Sequence, residues 1–118
     1  MDQSSGKDLE FRTKRFALEV IKTIEALPRR AAADVLGRQL LRSGTSVGAN
    51  YREANRAVSR ADFANKIGTV QKEAAETQYW IELIMESGIA EASSLGALHQ
   101  ESTELLAIFT TIGRKLKG

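Results

Sequence analysis

LLRSGTSVGAN, residues 40–50, is the stretch on which the fold turns. Its serines, threonine and glycines invite a loop, because such residues punctuate helices and strands. Yet Leu36, Leu40, Ser43, Val47, Tyr51 and Ala54 recur at spacings of 4, 3, 4, 4 and 3, the period of one helical face. The stripe passes through the glycines without losing phase. The segment is therefore predicted to be one helix from Pro28 to about Ala57, roughly 45 Å long. Pro28 suits a first helical position, where its missing N–H is not needed. Gly37, Gly44 and Gly48 each cost up to about 1 kcal/mol relative to alanine inside a helix, and close approach by a neighbouring helix would offset that.

Both flanks of this segment repeat the pattern. Phe63, Ile67, Val70, Ala74, Thr77, Ile81 and Ile84 alternate spacings of 4 and 3, which keeps one stripe against a partner. A fourth helix carries Leu95, Leu98, Ser102, Leu105, Phe109, Ile112 and Leu116, and the first carries Leu9, Phe16, Val20, Ile24 and Leu27, widened by Ile21. Ser5 to Asp8 and Ser59 to Asp62 resemble capping boxes, with Asp in place of Glu. Gly88 suits the left-handed residue that ends a helix, here near Glu86 or Ser87. The fourth helix is expected to start between Ala90 and Ser94 and to run to about Lys115. Short connections between long helices make consecutive neighbours antiparallel. The predicted fold is all-α, an up-down-up-down four-helix bundle forming one domain over residues 7–118 after a disordered start at residues 1–6.

The 118 residues suffice for one domain, and 42% hydrophobic with 27% charged residues is a globular composition. No cysteine is present, which excludes disulfides, thiolate metal sites and a cysteine nucleophile and fits a reducing compartment. No apolar run approaches the ~20 residues of a membrane span, and the N-terminus lacks an apolar signal core. A cytoplasmic location with no membrane partner is expected.

Charge is segregated along the chain. Residues 1–60 hold 12 Lys and Arg against 7 Asp and Glu, residues 61–118 hold 5 against 8, and the net is only +2. At 100° per residue, Arg38, Arg42, Arg52 and Arg56 fall within about 40° of one direction on the second helix, opposite Leu36, Leu40, Val47 and Ala54. Arg60 extends this ridge if the helix or its turn continues. A planar guanidinium suits phosphate, so the ridge is a candidate nucleic-acid contact. The plain alternative is a solvated face paired with Asp34 and Glu53. No aromatic residue interleaves the ridge, so base stacking there is not indicated. Ser46, Asn50 and Glu53 lie between ridge and stripe, where polar residues suit a subunit interface or a lined channel. Trp80 lies about 100° from the centre of its helix's stripe and Tyr79 nearly opposite it. Large aromatics off the core face hint at an interface.

Catalytic motifs are not found. His99 is the only histidine and has no supporting triad motif. Di-iron bundles need two Glu-x-x-His motifs, and position 96 is Gly. Helical ribonucleases place an Arg a few residues before a His, and residues 92–95 contain none. GTSVG follows no strand and lacks the Lys of a phosphate-binding loop. Glu73 and Glu76 have no metal partner in the sequence. Neither enzyme activity, a cofactor nor a metal site is expected.

The stretch from Leu36 to Ile84 resembles the bacterial four helix bundle protein family, also called 23S rRNA intervening sequence proteins because some members are encoded within insertions in large-subunit rRNA genes. The resemblance rests on Arg42, Ser43, Ser46, Val47 and Asn50 followed by Glu53, and on Glu73 and Glu76 in a Glu-rich third helix. Phe16 and Leu27-Pro28 fit the family's opening, while Ala54 stands where members usually have Gly. The resemblance implies four antiparallel helices assembled into a homopentameric ring around a central channel. It also implies similarity in fold to the accessory protein of diversity-generating retroelements, a basic pentamer that binds nucleic acid and a reverse transcriptase. In such a ring Ser43, Ser46, Asn50, Glu53, Glu73, Glu76 and Trp80 are candidates for the interface or channel, with the basic second helix near a neighbour's acidic helices. The expected partners are further copies of the chain and rRNA or another nucleic acid. The alternative is a protein-interaction scaffold with no nucleic-acid role.

Overall fold

The computed structural model describes residues 3–117 as four helices: α1 (Gln3–Glu25), α2 (Ala31–Ala54), α3 (Arg60–Glu86) and α4 (Ala92–Lys117). Five-residue connections join consecutive helices, and such short links return each helix antiparallel to the one before. The described residues extend 45 × 22 × 19 Å. The helix α2 packs against both α1 and α3, α3 packs against α4, and α1 meets α4 least.

Residues 40–50 are helical throughout. Leu40, Ser43, Val47, Tyr51 and Ala54 are buried and Leu36 packs against the core they form. The glycines of α2 face α1. A Cβ at Gly44 would stand 3.0 Å from Val20 Cγ2, and one at Gly48 would stand 3.0 Å from Thr13 Oγ1. The bare backbone lets α1 settle against α2, and the closer packing of the two helices offsets the helix propensity that glycine forfeits.

The second helix is shorter than its periodicity suggested. It holds 24 residues, about 36 Å, and Pro28 lies in the connection before it. Arg30 is the N-cap, in extended backbone at φ −139° and ψ 152°, with no side-chain cap. Asp34 in the first turn places a carboxylate near the positive end of the helix dipole. The C-cap is Asn55, so Arg56 sits in the turn beyond. The third helix starts as expected: Ser59 Oγ accepts from Asp62 N–H at 3.0 Å, and the Asp62 carboxylate accepts from Val58 N–H at 3.3 Å. Gly88 has φ 76° and closes α3 in the left-handed region.

The α1 boundary differs from expectation. The helix begins at Gln3, before the start expected at Ser5, whose side chain lies outside the described residues. A Cβ at Gly6 would stand 3.8 Å from the side chains of Tyr51 and Asn55, so α1 lies beside the end of the second helix at this point. The remainder of the disorder expected for residues 1–6 falls on Met1 and Asp2, outside the described residues.

One core runs the length of the bundle. Tyr51 and Phe109, both wholly buried, meet across its diagonal with ring centroids 5.2 Å apart. The stripes of α3 and α4 are buried along most of their length, including Thr77 and Ser102, which return their hydroxyl hydrogens to Glu73 O at 2.7 Å and His99 O at 2.7 Å, while Phe63, Ile112 and Leu116 at one end are only partly buried. Thr13, absent from the expected stripe, is wholly buried, its hydroxyl bonded to Leu9 O at 2.8 Å. Ile21 does not widen the core: 38% of it is exposed.

Across the thin α1–α4 seam, Arg12 grips Glu101 with two bonds of 2.7 and 2.8 Å and reaches Glu104 at 2.9 Å. The hydrogen bond to Glu101 holds the guanidinium above its ordinary range. Glu104 is held below the usual carboxylate range by Gln100 and then by Arg12. Arg12→Met should lower stability by about 1 kcal/mol near neutral pH, the scale of a partly exposed, screened ion pair. A carboxyl held low stabilises above its ordinary range and ceases to do so as pH falls through its lowered value. Urea titrations of the two proteins should therefore converge at acid pH.

Candidate nucleic-acid interface

The outer face of α2 carries the arginines, but the structure divides them by environment. Arg42 turns sideways to α3. Its guanidinium donates to Glu73 Oε1 at 3.3 Å, to Glu76 Oε1, and to Gln39 Oε1 at 3.1 Å. The Glu76 oxygen also accepts from Trp80 Nε1 at 3.2 Å. Glu73 and Glu76 are the more enclosed partners, at 19% and 31% side-chain exposure against 47% for Arg42. This clamp joins α2 to α3 within one chain. Arg42 is thereby committed to two carboxylates, and Glu73, Glu76 and Trp80 form one cluster with it.

Arg52 lies on the other flank, its Nε 3.7 Å from Glu10 of α1 and its side chain 55% exposed. Arg38 and Arg56 are exposed and make no ion pair or side-chain hydrogen bond among the described residues. Because α2 ends at Ala54, Arg56 projects from the turn, and Arg60 opens α3 instead of extending the ridge. Arg60 points to the end of the bundle, donating to Leu116 O at 3.4 Å. Neither Asp34 nor Glu53 pairs with these arginines: Glu53 instead accepts from Lys66 at 3.3 Å.

The polar flank is built by back-bonding along the helix. Ser46 Oγ donates to Arg42 O at 2.6 Å, and Asn50 Nδ2 donates to Ser46 O at 2.8 Å. Such bonds satisfy Ser and Asn inside a helix without a tertiary partner. Ser43 stands apart from this flank. It is wholly buried and its hydroxyl has no hydrogen-bond partner, so it belongs to the core and not to an exposed contact.

Apolar side chains outside the core were the least visible in the sequence. Leu18, Ile21 and Leu41 are 51%, 38% and 38% exposed. They come from the two helices that meet through Val20 and Gly44. Tyr79 is exposed and meets Trp80 edge-on at 5.1 Å. His99 bonds Glu82 at 2.9 Å, tying α4 to α3. Among the described residues no group of three or more His, Asp or Glu is placed to hold a metal ion, and no helix is long and apolar enough to cross a membrane.

Residues 9–111 match the family described as 23S rRNA-intervening sequence protein. In the same arrangement of helices, the chain is similar to a protein of unknown function from the S23 ribosomal protein family of Bacteroides thetaiotaomicron VPI-5482. The two share 35% identity with a TM-score of 0.84 over 92% of this chain and 97% of that one. No curated protein matches the chain. The family match runs from α1 to α4 and takes in the Arg42, Glu73 and Glu76 clamp, and the chain belongs to the 23S rRNA-intervening sequence protein family.

Proposed function

We propose that this protein is a non-catalytic, cytoplasmic bundle that assembles into a ring, a homopentamer by family resemblance, and binds structured RNA through phosphate contacts. The observation that carries this reading is the pair Arg38 and Arg56. Both are exposed and unpaired among the described residues, with Arg52 between them facing only one carboxylate at 3.7 Å. On α2, Arg38 and Arg52 stand about 21 Å apart at the helical rise, and Arg56 in the turn beyond extends the row, long enough to follow a folded strand. Assembly would repeat the ridge on every copy and multiply weak contacts into useful affinity. Leu18, Ile21 and Leu41 offer apolar area for the contact between copies.

Arg42 is excluded from the test because its removal strands Glu73 and Glu76. Arg38→Gln, Arg52→Gln and Arg56→Gln in one chain should weaken binding of an rRNA-derived hairpin by at least about tenfold at low salt. The same change should flatten the salt dependence by about 2–3 log units per log unit of salt if all three contact phosphate. The melting temperature should barely move, since exposed substitutions are close to neutral. Unchanged hairpin affinity in this variant would remove the ridge as the RNA site. The exposed Leu18, Ile21 and Leu41 also favour a second reading, a scaffold for a protein partner, which predicts retention of a protein and no salt-sensitive RNA binding.

A further inference from the structure

The end of the bundle where α2 and α4 finish and α1 and α3 begin holds an open pocket of about 970 Å³, within the size range of small-ligand sites. Its wall is apolar on one side, from Phe63, Ile112 and Leu116, and Lys7, Arg60 and Lys115 bring three cations to it. Arg60 is held over this space by its bond to Leu116 O at 3.4 Å. Glu10 is the one carboxylate in the lining, and it is already engaged, accepting from Asn55 Nδ2 at 2.8 Å with Arg52 at 3.7 Å. The balance left for a ligand is positive.

A second observation concerns Tyr51. Its side chain is wholly buried, yet its hydroxyl has no hydrogen-bond partner. The hydroxyl lies behind the pocket wall: a Cβ at Gly6 would stand 3.8 Å from both Tyr51 Oη and Asn55 Nδ2, and Gly6 and Asn55 both line the pocket. Asn55 Nδ2 gives one of its two hydrogens to Glu10 Oε2 at 2.8 Å. Burial pushes the phenol's pKa up and the neighbouring Asn55 amide opposes this, without closing a bond to the hydroxyl. Buried hydroxyls are nearly always bonded, and an orphan beside a basic pocket points to a polar group arriving from outside.

We propose that this pocket binds a phosphorylated nucleoside, either free or as the 5′ end of an RNA strand, with phosphate on Lys7, Arg60 and Lys115 and the base against Phe63. Phosphate oxygens accept from all three cations, and a base has a π-face that an aromatic wall receives without regard to its identity. Tyr51 does not itself line the pocket, so a water carried in with the ligand beside Gly6 and Asn55 is what would answer its hydroxyl. The strand-end form rests on the RNA reading above; the free form does not.

Titration of the purified full-length protein with AMP should show saturable binding by calorimetry, with amide shifts in NMR at Gly6, Asn55 and Phe63. Lys7→Gln with Lys115→Gln should weaken it by about tenfold or more, the scale of charge-assisted contacts. Tyr51→Phe should weaken it by about threefold or more while the melting temperature holds or rises, because the variant removes an unbonded hydroxyl and keeps the ring. A hydroxyl with only a packing role would raise the melting temperature and leave AMP affinity alone. A short single-stranded RNA bearing a 5′-phosphate should bind more tightly than its 5′-hydroxyl twin if the strand end is the source, and equally if the free nucleotide is. No saturable AMP binding, or AMP affinity unchanged in both variants, overturns the proposal. AMP binding without hairpin binding upholds the pocket and removes the RNA reading. Hairpin binding without affinity for AMP or preference for the 5′-phosphate does the reverse.

Discussion

Gly44→Leu should destabilise the bundle by about 3 kcal/mol, the upper part of the range for overpacking. A Cβ at this position already stands 3.0 and 3.2 Å from the two Val20 methyls, and the rest of a leucine would have to occupy the space of Val20 itself. Val20 is wholly buried and has no room to withdraw, so α1 must move off α2. Replacing glycine adds up to about 1 kcal/mol of helix propensity, which is too little to compensate. Gly68→Ala is the control, because nothing lies within 4 Å of a Cβ there. That variant should gain about 0.5–1 kcal/mol from propensity alone. Urea titrations followed by circular dichroism should move the two midpoints in opposite directions. Equal gains from both substitutions would mean that α1 does not rest on the glycines of α2.

Phe109→Ala should cost about 3–5 kcal/mol, as for other buried aromatic truncations. The ring is wholly buried and meets the Tyr51 ring at 5.2 Å, the one aromatic contact across the diagonal of the described bundle. Its removal opens a void bounded by Tyr51, which is held by packing alone since its hydroxyl makes no bond. Phe109→Leu should cost about 1 kcal/mol, because most of the volume stays. Thermal melts of the three proteins should rank parent, leucine and alanine in that order. A Phe109→Ala melting temperature within a degree or two of the parent would place the core elsewhere.

Periodicity carried most of the fold. Four stripes at helical spacing placed the buried faces of all four helices, and the second survived its glycines because phase is set by which residues are apolar, not by local propensity. What failed was local. Pro28 looks like a helix start, but φ near −65° also suits the connection in which it lies. Ile21 is apolar and adjacent to the stripe, yet the close seat of α1 on Gly44 leaves it at the rim. Thr13 was invisible as a core residue because its burial depends on facing Gly48, a tertiary fact.

The candidate site was legible as a set of residue types and not as a set of pairs. Helical geometry correctly placed Arg38, Arg42 and Arg52 away from the core. It could not say that Arg42 would bend to Glu73 and Glu76, since that depends on the rotation of α3 against α2. Within the chain those residues form a clamp from one helix to the next. Arg56 and Arg60 left the ridge because the helix ended at Ala54, and boundaries are the part of a helix that periodicity defines least. The end pocket had no sequence signal: Lys7, the Arg60 and Phe63 turn of α3, and Lys115 are far apart in the chain and meet only through the antiparallel topology.

The central claim, phosphate-driven RNA binding by the exposed arginines, is tested most directly by the affinity of the unmodified protein for an rRNA-derived hairpin at increasing salt. Three phosphate contacts predict that log affinity falls linearly with log salt at a slope of about −2 to −3 for each engaged protomer. A flat line, or no binding even at low salt, would contradict it.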